Sequence, residues 1–485
     1  MNNWIKCKIS DIADVNSGIG FPKNFQGNIN GIYPFYKVGD ISQTFLRGEQ
    51  YLTVANNYID DDILIELKGK LFKSGTIVFA KIGEALRLNR RAIISEDSLC
   101  DNNVMGVIPV KSETSRFLYY YLNTLDLGIY SAGNAVPSIR KSVVLDIKIP
   151  LPPLPEQQRI VAKLDELFGH LDSLKTRLNN IPQILKNFRQ AVLTQAVTGK
   201  LTEEWRVGKA LEDVDFVVKE FLTDLVEKEK SQIKKKKIKT LIKEKSIEEY
   251  NVPKEWKFYK LEKLCLEFTY GSSSKSLDEG LVPVIRMGNL QAGKIDWDKL
   301  KYSVDEKEIE KYMLTAGDVL FNRTNSPELV GKTSIYLGDK KAIYAGYLIK
   351  IKTSELLKSS YLNYALNSPY AKEWCWKVKT DGVSQSNINA QKLSQFNLPY
   401  PPIKEQTEIV NRVAHLFAKA DAIDAQYQSL KTKIDSLPQA ILAKAFKGEL
   451  VAQLDTDGSA EVLLEEIQRL RAEVVKKGKT NKVKQ

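Results

Sequence analysis

Apolar residues recur at alternating steps of four and three along two stretches of the chain, residues 151–201 and residues 400–450. This spacing is typical of helices that pair through a coiled-coil seam. Both stretches are therefore predicted to be long amphipathic helices. The predicted seam residues are Ile160, Leu164, Leu167, Leu171, Leu174, Leu178, Ile409, Val413, Leu416, Ile423, Tyr427 and Leu430.

The two stretches are copies of one another. Aligned without gaps at a constant offset of 249 residues, they are identical at 15 of 51 positions. Because two matched apolar stripes in one chain can bury each other, we expect them to pair as an antiparallel coiled coil with a pseudo-two-fold axis. The alternative is that each helix is an amphipathic wall of a larger core. Pro182 and Pro438 lie off the seam, so a kink is expected in each copy.

The regions before each helical copy also resemble one another. Gly75-Thr-Ile-Val-Phe-Ala-Lys is similar to Gly317-Asp-Val-Leu-Phe-Asn-Arg, and both predict a glycine turn that leads into a buried strand. We expect an α+β chain in which two α/β domains are separated by the helical copies. The predicted segments are domain 1 (1–150), helical copy 1 (151–201), a charged linker (202–255), domain 2 (256–399), helical copy 2 (400–450) and a C-terminal amphipathic helix with a basic tail (451–485).

Composition and charge narrow the possible functions. The 485 residues, 43% hydrophobic and 27% charged, suit a folded multidomain protein. No apolar run approaches about 18 residues and no signal-peptide pattern begins the chain, so a cytoplasmic location without membrane contact is expected. Four dispersed cysteines and two histidines argue against a zinc site, a disulfide framework or a histidine-based catalytic triad. The net charge of +12 favours an anionic partner.

Two unlike domains joined by a helical spacer would suit an asymmetric DNA target. A seam from residue 160 to residue 192 spans roughly 50 Å at about 1.5 Å per residue, which matches roughly fifteen base pairs of duplex. Two-fold related modules contact the same groove about one helical turn apart. Because the two domains differ in sequence, the half-sites are expected to differ, with an unread spacer between them.

Five short motifs mark the ends of the domains and of the helical copies. They are Pro-Pro-Leu-Pro-Glu-Gln at 152–157, Pro-Pro-Ile-Lys-Glu-Gln at 401–406, Gln-Ala-Val-Leu…Gly-Lys-Leu-Thr-Glu-Glu-Trp at 190–205, Gln-Ala-Ile-Leu-Ala-Lys-Ala-Phe-Lys-Gly-Glu-Leu at 439–450 and Gly-Val-Ser-Gln-Ser-Asn-Ile at 382–388. Together they resemble the specificity subunits of type I restriction-modification systems, in the subgroup with long helical repeats. The first domain departs from the last motif at Gly133-Asn-Ala-Val-Pro-Ser-Ile139.

The resemblance implies a chain that recognises the DNA target sequence for a larger complex. It implies two target-recognition domains that read double-stranded DNA, and helices that dock two modification (methyltransferase) subunits and, through them, restriction and motor subunits. No cofactor is implied in this chain, whereas the complex would use S-adenosylmethionine, ATP and Mg²⁺.

The chain is expected not to be an enzyme. The sequence contains neither an Asp/Asn-Pro-Pro-Tyr/Phe methyltransferase motif nor a phosphate-binding Gly-x-x-x-x-Gly-Lys-Ser/Thr loop. The alternatives are a stand-alone DNA methyltransferase or nuclease, and a coiled-coil scaffold without a role in DNA binding.

Candidate base readers are polar or basic side chains on predicted loops, because groove edges are read by such groups. For each of them, solvated surface charge is the alternative, and the same choice applies to the run Lys234–Lys237. Tyr119, Tyr120 and Tyr121 could stack on bases, but their helical spacing with Leu118 and Leu122 favours packing in a core. No catalytic residue and no metal ligand is expected. The candidate DNA-binding residues are Lys81, Arg87, Asn89, Arg90, Arg91, Ser273, Lys275, Asn322, Arg323, Asn325, Ser326 and Lys332.

Overall fold

The computed structural model of the chain describes the backbone of residues 3–132 and 136–482, and the side chains as far as Glu473. The chain divides into two compact units. Unit 1 consists of Met1–Leu178 and Ser429–Gln485, and unit 2 consists of Asn179–Gln428. Each unit therefore contains part of each helical copy. Two predicted features lie partly outside the described residues: the loop at 133–139 and the basic tail.

The helices and strands are numbered here in chain order. The helices are Ile9–Ile12 (α1), Val38–Leu46 (α2), Asp61–Glu66 (α3), Glu84–Arg87 (α4), Ser115–Leu122 (α5), Lys141–Leu145 (α6), Leu154–Asn179 (α7), Ile181–Thr198 (α8), Glu203–Arg206 (α9), Val214–Lys228 (α10), Gln232–Lys243 (α11), Leu261–Leu264 (α12), Glu306–Tyr312 (α13), Ser359–Leu366 (α14), Pro369–Val378 (α15), Ala390–Ser394 (α16), Ile403–Phe446 (α17) and Ala460–Lys482 (α18). Among the described residues, none of these helices is both long and apolar enough to cross a membrane.

The strands of unit 1 are Ile5–Lys8 (β1), Ala13–Ser17 (β2), Tyr33–Tyr36 (β3), Tyr51–Leu52 (β4), Tyr58–Ile59 (β5), Ile77–Ala80 (β6), Arg91–Ile94 (β7), Leu99–Cys100 (β8), Val104–Pro109 (β9) and Lys148–Leu151 (β10). The strands of unit 2 are Lys257–Lys260 (β11), Cys265–Tyr270 (β12), Val282–Ile285 (β13), Leu290–Gln291 (β14), Lys294–Ile295 (β15), Lys301–Ser303 (β16), Val319–Asn322 (β17), Thr324–Asn325 (β18), Thr333–Ile335 (β19), Ile343–Tyr344 (β20), Leu348–Thr353 (β21), Thr380–Asp381 (β22), Ser386–Asn387 (β23) and Asn397–Tyr400 (β24).

Unit 1 is built on a five-stranded sheet of order β2-β9-β6-β7-β4, with a smaller sheet of order β5-β3-β8. Strand β6 is central and buried at all four residues, and it follows Gly75, whose φ of +86° favours glycine. The predicted glycine turn and buried strand are therefore confirmed. The three tyrosines of α5 are buried against this sheet in the core of the unit, as expected from their helical spacing.

Unit 2 repeats the topology of unit 1. Its main sheet has the order β12-β21-β17-β19, and the order β16-β13-β20 repeats that of β5-β3-β8. Gly317 precedes the buried strand β17 with a φ of +94°, as Gly75 precedes β6. In both units an antiparallel ribbon, β1-β10 or β11-β24, joins the start of the domain to the strand that leads into a helical copy. The repeat therefore extends from the helices to the α/β domains.

The two helical copies differ in continuity. The first copy is broken between α7 and α8, with Pro182 in the first turn of α8. A proline is well tolerated there because the first N–H groups of a helix have no intrahelical acceptor. The second copy is the single helix α17, which contains Pro438 in its interior. Near Pro182, where a kink was expected, the helix is interrupted at the single residue Asn180, whereas α17 continues through Pro438.

Within unit 2, the two helical copies run antiparallel. Arg189 Nη2 donates to Asp421 Oδ1 at 2.7 Å, and Arg206 Nη1 donates to Glu405 Oε1 at 2.5 Å. Residue numbers therefore rise along one segment while they fall along the other. In unit 1, the end of α17 packs beside the start of α7 in one hydrophobic core.

The predicted seam is buried where it packs against an α/β domain. Ile160 and Leu164 belong to the core of unit 1, and Ile409 and Val413 belong to the core of unit 2. The helices therefore pair with each other and also pack against the cores of the α/β domains. Both the coiled-coil interpretation and the core-packing interpretation of the apolar stripe apply. Leu171 and Tyr427 are buried as well, and Leu167, Leu178 and Leu416 are half-buried. Three predicted seam residues are instead 46–48% exposed: Leu174, Ile423 and Leu430.

Helices α10 and α18 are equivalent elements that each dock on one unit. Val214 and Val218 of α10 are buried in the core of unit 2, and the residues 249 positions later, Leu463 and Ile467 of α18, are buried in the core of unit 1. Helix α18 contacts α1, and α10 contacts the corresponding α12. The repeat thus continues into residues 202–255, which carry packed helices in addition to their many charges.

Candidate nucleic-acid interface

Arg323 lies at the centre of a loop cluster in unit 2, directly after β17. Its backbone N–H donates to the carbonyl of Tyr347 at 3.0 Å, and its own carbonyl accepts from the N–H of Ile388 at 2.9 Å. Its guanidinium lies 4.6 Å from the ring centroid of Tyr270, and Nη1 reaches the carbonyl of Gly346 at 3.4 Å. These contacts fix the position of a cationic, fork-shaped donor at the end of the main sheet.

A hairpin covers one side of Arg323. Strands β22 and β23 pair, and β23 also pairs with β18, so that Thr324 and Asn325 lie against Asn387 and Ser386. Val383 at the tip of the hairpin is fully exposed. The motif at 382–388 therefore forms a loop beside the candidate reader. Sequence reasoning used this motif only for the resemblance and did not include the hairpin or Tyr270 among the candidates.

The serine-rich loop lies on the other side of the cluster. Gly271 begins this loop, and a Cβ atom there would collide with the carbonyl oxygen of Tyr344, so only glycine fits. The Gly346 N–H donates to the Ser272 carbonyl at 2.5 Å, which places the loop next to the backbone contacted by Arg323. Ser273 and Lys275 are exposed there. The predicted residues Ser273, Lys275, Arg323 and Asn325 thus belong to neighbouring loops.

The other unit 2 candidates are placed differently. Ser326 directly follows Asn325, and its N–H donates to Asn325 Oδ1 at 2.8 Å. Lys332 is directed away from the cluster, since its Nζ donates to Gln291 Oε1 at 3.1 Å. Asn322 is fully buried, and neither its amide oxygen nor its amide nitrogen has a hydrogen-bond partner among the described residues. Asn322 is therefore not on the surface that the sequence analysis expected.

Unit 1 places Lys81 as unit 2 places Arg323. The Lys81 N–H donates to the Asn103 carbonyl at 2.9 Å, and the Lys81 carbonyl accepts from the Ile139 N–H at 3.0 Å. The loop that ends at Ile139 departs from the motif at 382–388 in sequence but makes the same backbone hydrogen bond. The two units therefore present one cationic residue each through the same pair of backbone hydrogen bonds.

Arg91 and Asn89 in unit 1 bind each other and do not face solvent as candidate readers would. Arg91 is 1% exposed, and its Nη2 donates to Asn89 Oδ1 at 2.9 Å and to the Leu125 carbonyl at 2.7 Å. Burial lowers the pKa of Arg91 to about 10. Asn89 has a positive φ of +56° and donates from Nδ2 to the same carbonyl at 2.7 Å. Both residues therefore stabilise the loop between α4 and β7.

The remaining candidates in unit 1 are accessible. Arg87 is exposed and lies 3.4 Å from Glu84 in an ion pair. Arg90 is half-buried, with its guanidinium 5.7 Å from the ring centroid of Phe45. With Lys81, they leave three cationic side chains between β6 and β7.

Each unit also buries the glutamate of its Pro-Pro-x-x-Glu-Gln motif. Glu405 accepts hydrogen bonds from Arg206 Nη1 at 2.5 Å, Thr202 Oγ1 at 2.6 Å and Trp256 Nε1 at 2.8 Å. Glu156 is equally buried and faces Trp4 and Gln453, two neutral donors. Burial is the largest cause that raises the pKa of Glu156, and these donors partly oppose the shift.

Comparison with protein families gives a match over most of the chain. The family model described as "Type I restriction modification DNA specificity domain" matches residues 1–183 and 253–432. These two matches cover the α/β domains of both units.

Individual proteins support the same match. The chain is 30% identical over 474 residues to the specificity subunit of the type I restriction enzyme EcoKI of Escherichia coli (strain K12), which covers 88% of this chain and 93% of that protein. It is 32% identical over 475 residues to the StySPI specificity subunit of Salmonella potsdam, with the same coverage of both chains.

Solved structures share the fold. The HsdS subunit from Thermoanaerobacter tengcongensis aligns with 93% of this chain and 98% of its own, with a TM-score of 0.56 and 16% identity. A chain of another type I R-M system aligns with 93% of this chain and 99% of its own, with a TM-score of 0.60 and 17% identity. The predicted fold class, two α/β domains with long paired helical segments, is confirmed by this likeness.

Proposed function

Because this chain belongs to the family of type I restriction-modification specificity subunits, we propose that each of its two units reads one half of an asymmetric bipartite DNA site. The chain is a DNA specificity subunit with two target-recognition domains. One observation carries the proposal: Lys81 and Arg323 occupy the same place in two domains of different sequence, each fixed by two backbone hydrogen bonds. The same backbone position with a different side chain in each domain suits recognition of two different half-sites.

The proposed contacts follow from the chemistry of the loops. Arg323 offers a fork that can bind guanine O6 and N7 in the major groove, and Lys81 offers one ammonium group with three N–H donors. Asn89, Arg91 and Asn322 are left out of the proposed interface because they are bound or buried inside their domains. The proposed contacts are Lys81, Arg87 and Arg90 in unit 1, and Ser273, Lys275, Arg323, Asn325 and Ser326 in unit 2.

We further propose that the chain is not catalytic and that its helices dock two modification subunits, which in turn hold restriction and motor subunits. S-adenosylmethionine, ATP and Mg²⁺ would be used by those partners, in the cytoplasm. The exposed apolar side chains of Leu174, Ile423 and Leu430 support a docking role for the helices, since a partner that covered them would remove apolar surface from water.

Substitution of Arg323 by alanine tests the reading function. In a complex assembled with the modification subunits, Arg323→Ala should relax or abolish recognition of one half-site, at a cost of about 1–3 kcal/mol for a base contact. The methylated sequences, determined genome-wide, give the readout. Lys377→Ala is the matched control, because Lys377 already pairs with Glu373 at 2.7 Å on α15. An equal loss of methylation at all sequences would contradict base reading by Arg323.

The proposed spacing of the half-sites is tested by insertion. One added heptad in each helical copy should lengthen the tolerated spacer by roughly three base pairs, at about 1.5 Å per residue and 3.4 Å per base pair. The half-sites themselves should stay unchanged in the methylated sequences. An unchanged spacer would contradict a spacing role for the helices.

A further inference from the structure

Helix α11 is the most basic element of unit 2. Its twelve residues, Gln232–Lys243, include six lysines and no acidic residue. It forms a helical hairpin with α10, and Ser231 caps its first turn by accepting from the Lys234 N–H. The base-reading loops described above do not include this helix.

The hairpin is fixed to unit 2 along one face of α11. Leu241 is buried, and Ile238 and Ile242 pack against the core of the unit. Lys237 pairs with Glu262 at 2.9 Å, and Lys263 Nζ donates to the carbonyl of Glu244 at 2.9 Å. The orientation of α11 on the domain is therefore defined by apolar contacts and by these polar contacts.

The opposite face of α11 carries Lys236, Lys239 and Lys243, called here the lysine stripe. The three residues are spaced by three and four positions, so they share one face of the helix, and all three are exposed. None of them forms an ion pair within the part of the chain that the structure describes, whereas Lys228 and Lys237 do. Like charges at this spacing repel one another and cost helix stability unless an anion neutralises them.

Helix α11, which carries the lysine stripe, is connected to the base-reading loops through side-chain contacts. Helix α16 connects the two surfaces: the Ala390 N–H at its start donates to Tyr270 Oη at 2.9 Å. Directly after its end, Gln395 Nε2 donates to Glu262 Oε1 at 2.6 Å, and Glu262 also pairs with Lys237. Helix α16, about 7.5 Å long, therefore links the reading loops at its start to α11, the helix that carries the stripe, at its end.

We propose that the lysine stripe binds the phosphodiester backbone of duplex DNA beside the half-site that unit 2 reads, without selecting its sequence. The proposal rests on the proposed function, because it takes DNA to be bound at the neighbouring loops. The stripe is about 10.5 Å long, which matches about three phosphates along one strand. Lysine suits this role because it binds phosphate as a point charge.

The chemistry of the stripe favours DNA over a protein partner. Protein interfaces centre on aromatic, methionine and arginine side chains, and charged residues are depleted in their cores. The exposed face of α11 has no aromatic, methionine or arginine residue, and Ile233 is its one large apolar side chain exposed at the start of the helix. A row of lysines with Ile233 as its one exposed apolar neighbour on the helix is suited to salt-dependent binding of phosphates.

The experiment measures how DNA affinity of the assembled complex depends on salt, for the wild type and for the triple variant K236Q/K239Q/K243Q. In a plot of the logarithm of the DNA association constant against the logarithm of the salt concentration, each phosphate contact contributes about −0.9 to the slope. The variant, which lacks three contacts, should therefore have a slope less steep by about 2.7. Its affinity should then fall roughly 40-fold less than that of the wild type between 50 and 200 mM salt. The loss should be the same for target and non-target duplexes, and the methylated sequence should not change.

The matched control is K228Q/K254Q/K377Q, which removes the same charge from lysines that already pair with Asp224, Glu255 and Glu373. It should keep the wild-type slope. If the stripe variant kept the wild-type slope, the proposal would be overturned. Sequence-specific binding by the wild type would, in that case, still support the proposed function. An absence of sequence-specific binding by the wild type would instead count against the proposed function. Loss of complex assembly in the stripe variant, measured by mass photometry, would assign the stripe to a protein partner and overturn the proposal.

Discussion

The two units bury the same glutamate of the same motif and surround it with different chemistry. Glu405 in unit 2 accepts from a guanidinium, a hydroxyl and an indole. Among the described residues, Glu156 in unit 1 faces an indole and an amide, and Arg159, a cation whose charge acts on Glu156, pairs with Asp457 at 2.6 Å. The repeat therefore fixes where a side chain lies, whereas residues outside the repeated motif decide what it binds.

The difference follows from where each unit obtains its partners. Arg206 and Thr202 follow the first helical copy, and the residues 249 positions later are Asp455 and Val451. These positions supply no side-chain donor comparable to the Arg206 guanidinium, and Glu156 faces Trp4 and Gln453 instead. Unit 2 therefore has a buried ion pair at this glutamate, whereas in unit 1 the buried carboxyl group faces neutral groups.

The largest expected effect concerns Glu405. Glu405→Gln should destabilise unit 2 by about 3–5 kcal/mol, because it leaves the guanidinium of Arg206 without its buried partner. Glu156→Gln should cost unit 1 less than about 1 kcal/mol, since no charge loses a partner. Hydrogen exchange of core amides, resolved by unit, measures both. Equal losses in the two variants would show that the two environments are equivalent after all.

A second contrast separates structural from reading arginines. Arg91→Ala should destabilise unit 1 by about 2–3 kcal/mol, because its buried hydrogen bonds come from a charged donor. The methylated sequence should stay unchanged in this variant, whereas Arg323→Ala should change the sequence and leave unit 2 stable. Denaturant unfolding and methylome sequencing of both variants provide the comparison. A changed methylated sequence in the Arg91→Ala variant would indicate that Arg91 contributes to base recognition.

The smallest expected effect is the pH dependence of unit 1. Because the pKa of Glu156 is raised above its ordinary 4.5, folded unit 1 binds this proton more tightly than the unfolded chain. The wild type should therefore gain stability relative to Glu156→Gln as the pH falls from the raised pKa to 4.5, with no further gain below. Denaturant titrations at a series of pH values measure this difference. A relative loss in that interval would contradict the direction of the shift.

The architecture could be predicted from sequence because it follows from repetition and periodicity. The offset of 249 residues locates both helical copies, and the glycines before the two buried strands locate the centre of each sheet. Periodicity also assigns Leu174, Ile423 and Leu430 to the seam, although they are exposed. It records which residues share a face of a helix but not whether another element covers that face.

The site was harder to predict, because local sequence does not show which loop residues are bound internally. Arg90 and Arg91 are adjacent in sequence, yet only Arg91 is buried, through the αL conformation of Asn89 and a carbonyl 34 residues away. Tyr270 lies beside Arg323 through sheet pairing between distant strands, which no local pattern records. The hairpin at 380–387 could have been included among the candidates, since the sequence already singles out the motif at 382–388.

The central claim is that the loops around Lys81 and Arg323 read different halves of one DNA site. Site-specific photo-crosslinking tests it most directly: a photoreactive amino acid is placed at position 81 or at position 323, and each assembled complex is irradiated on a duplex that carries its target. The account predicts crosslinks from position 81 within one half-site only and from position 323 within the other half-site only. Crosslinks from both positions to the same half-site, or to the spacer alone, would contradict it.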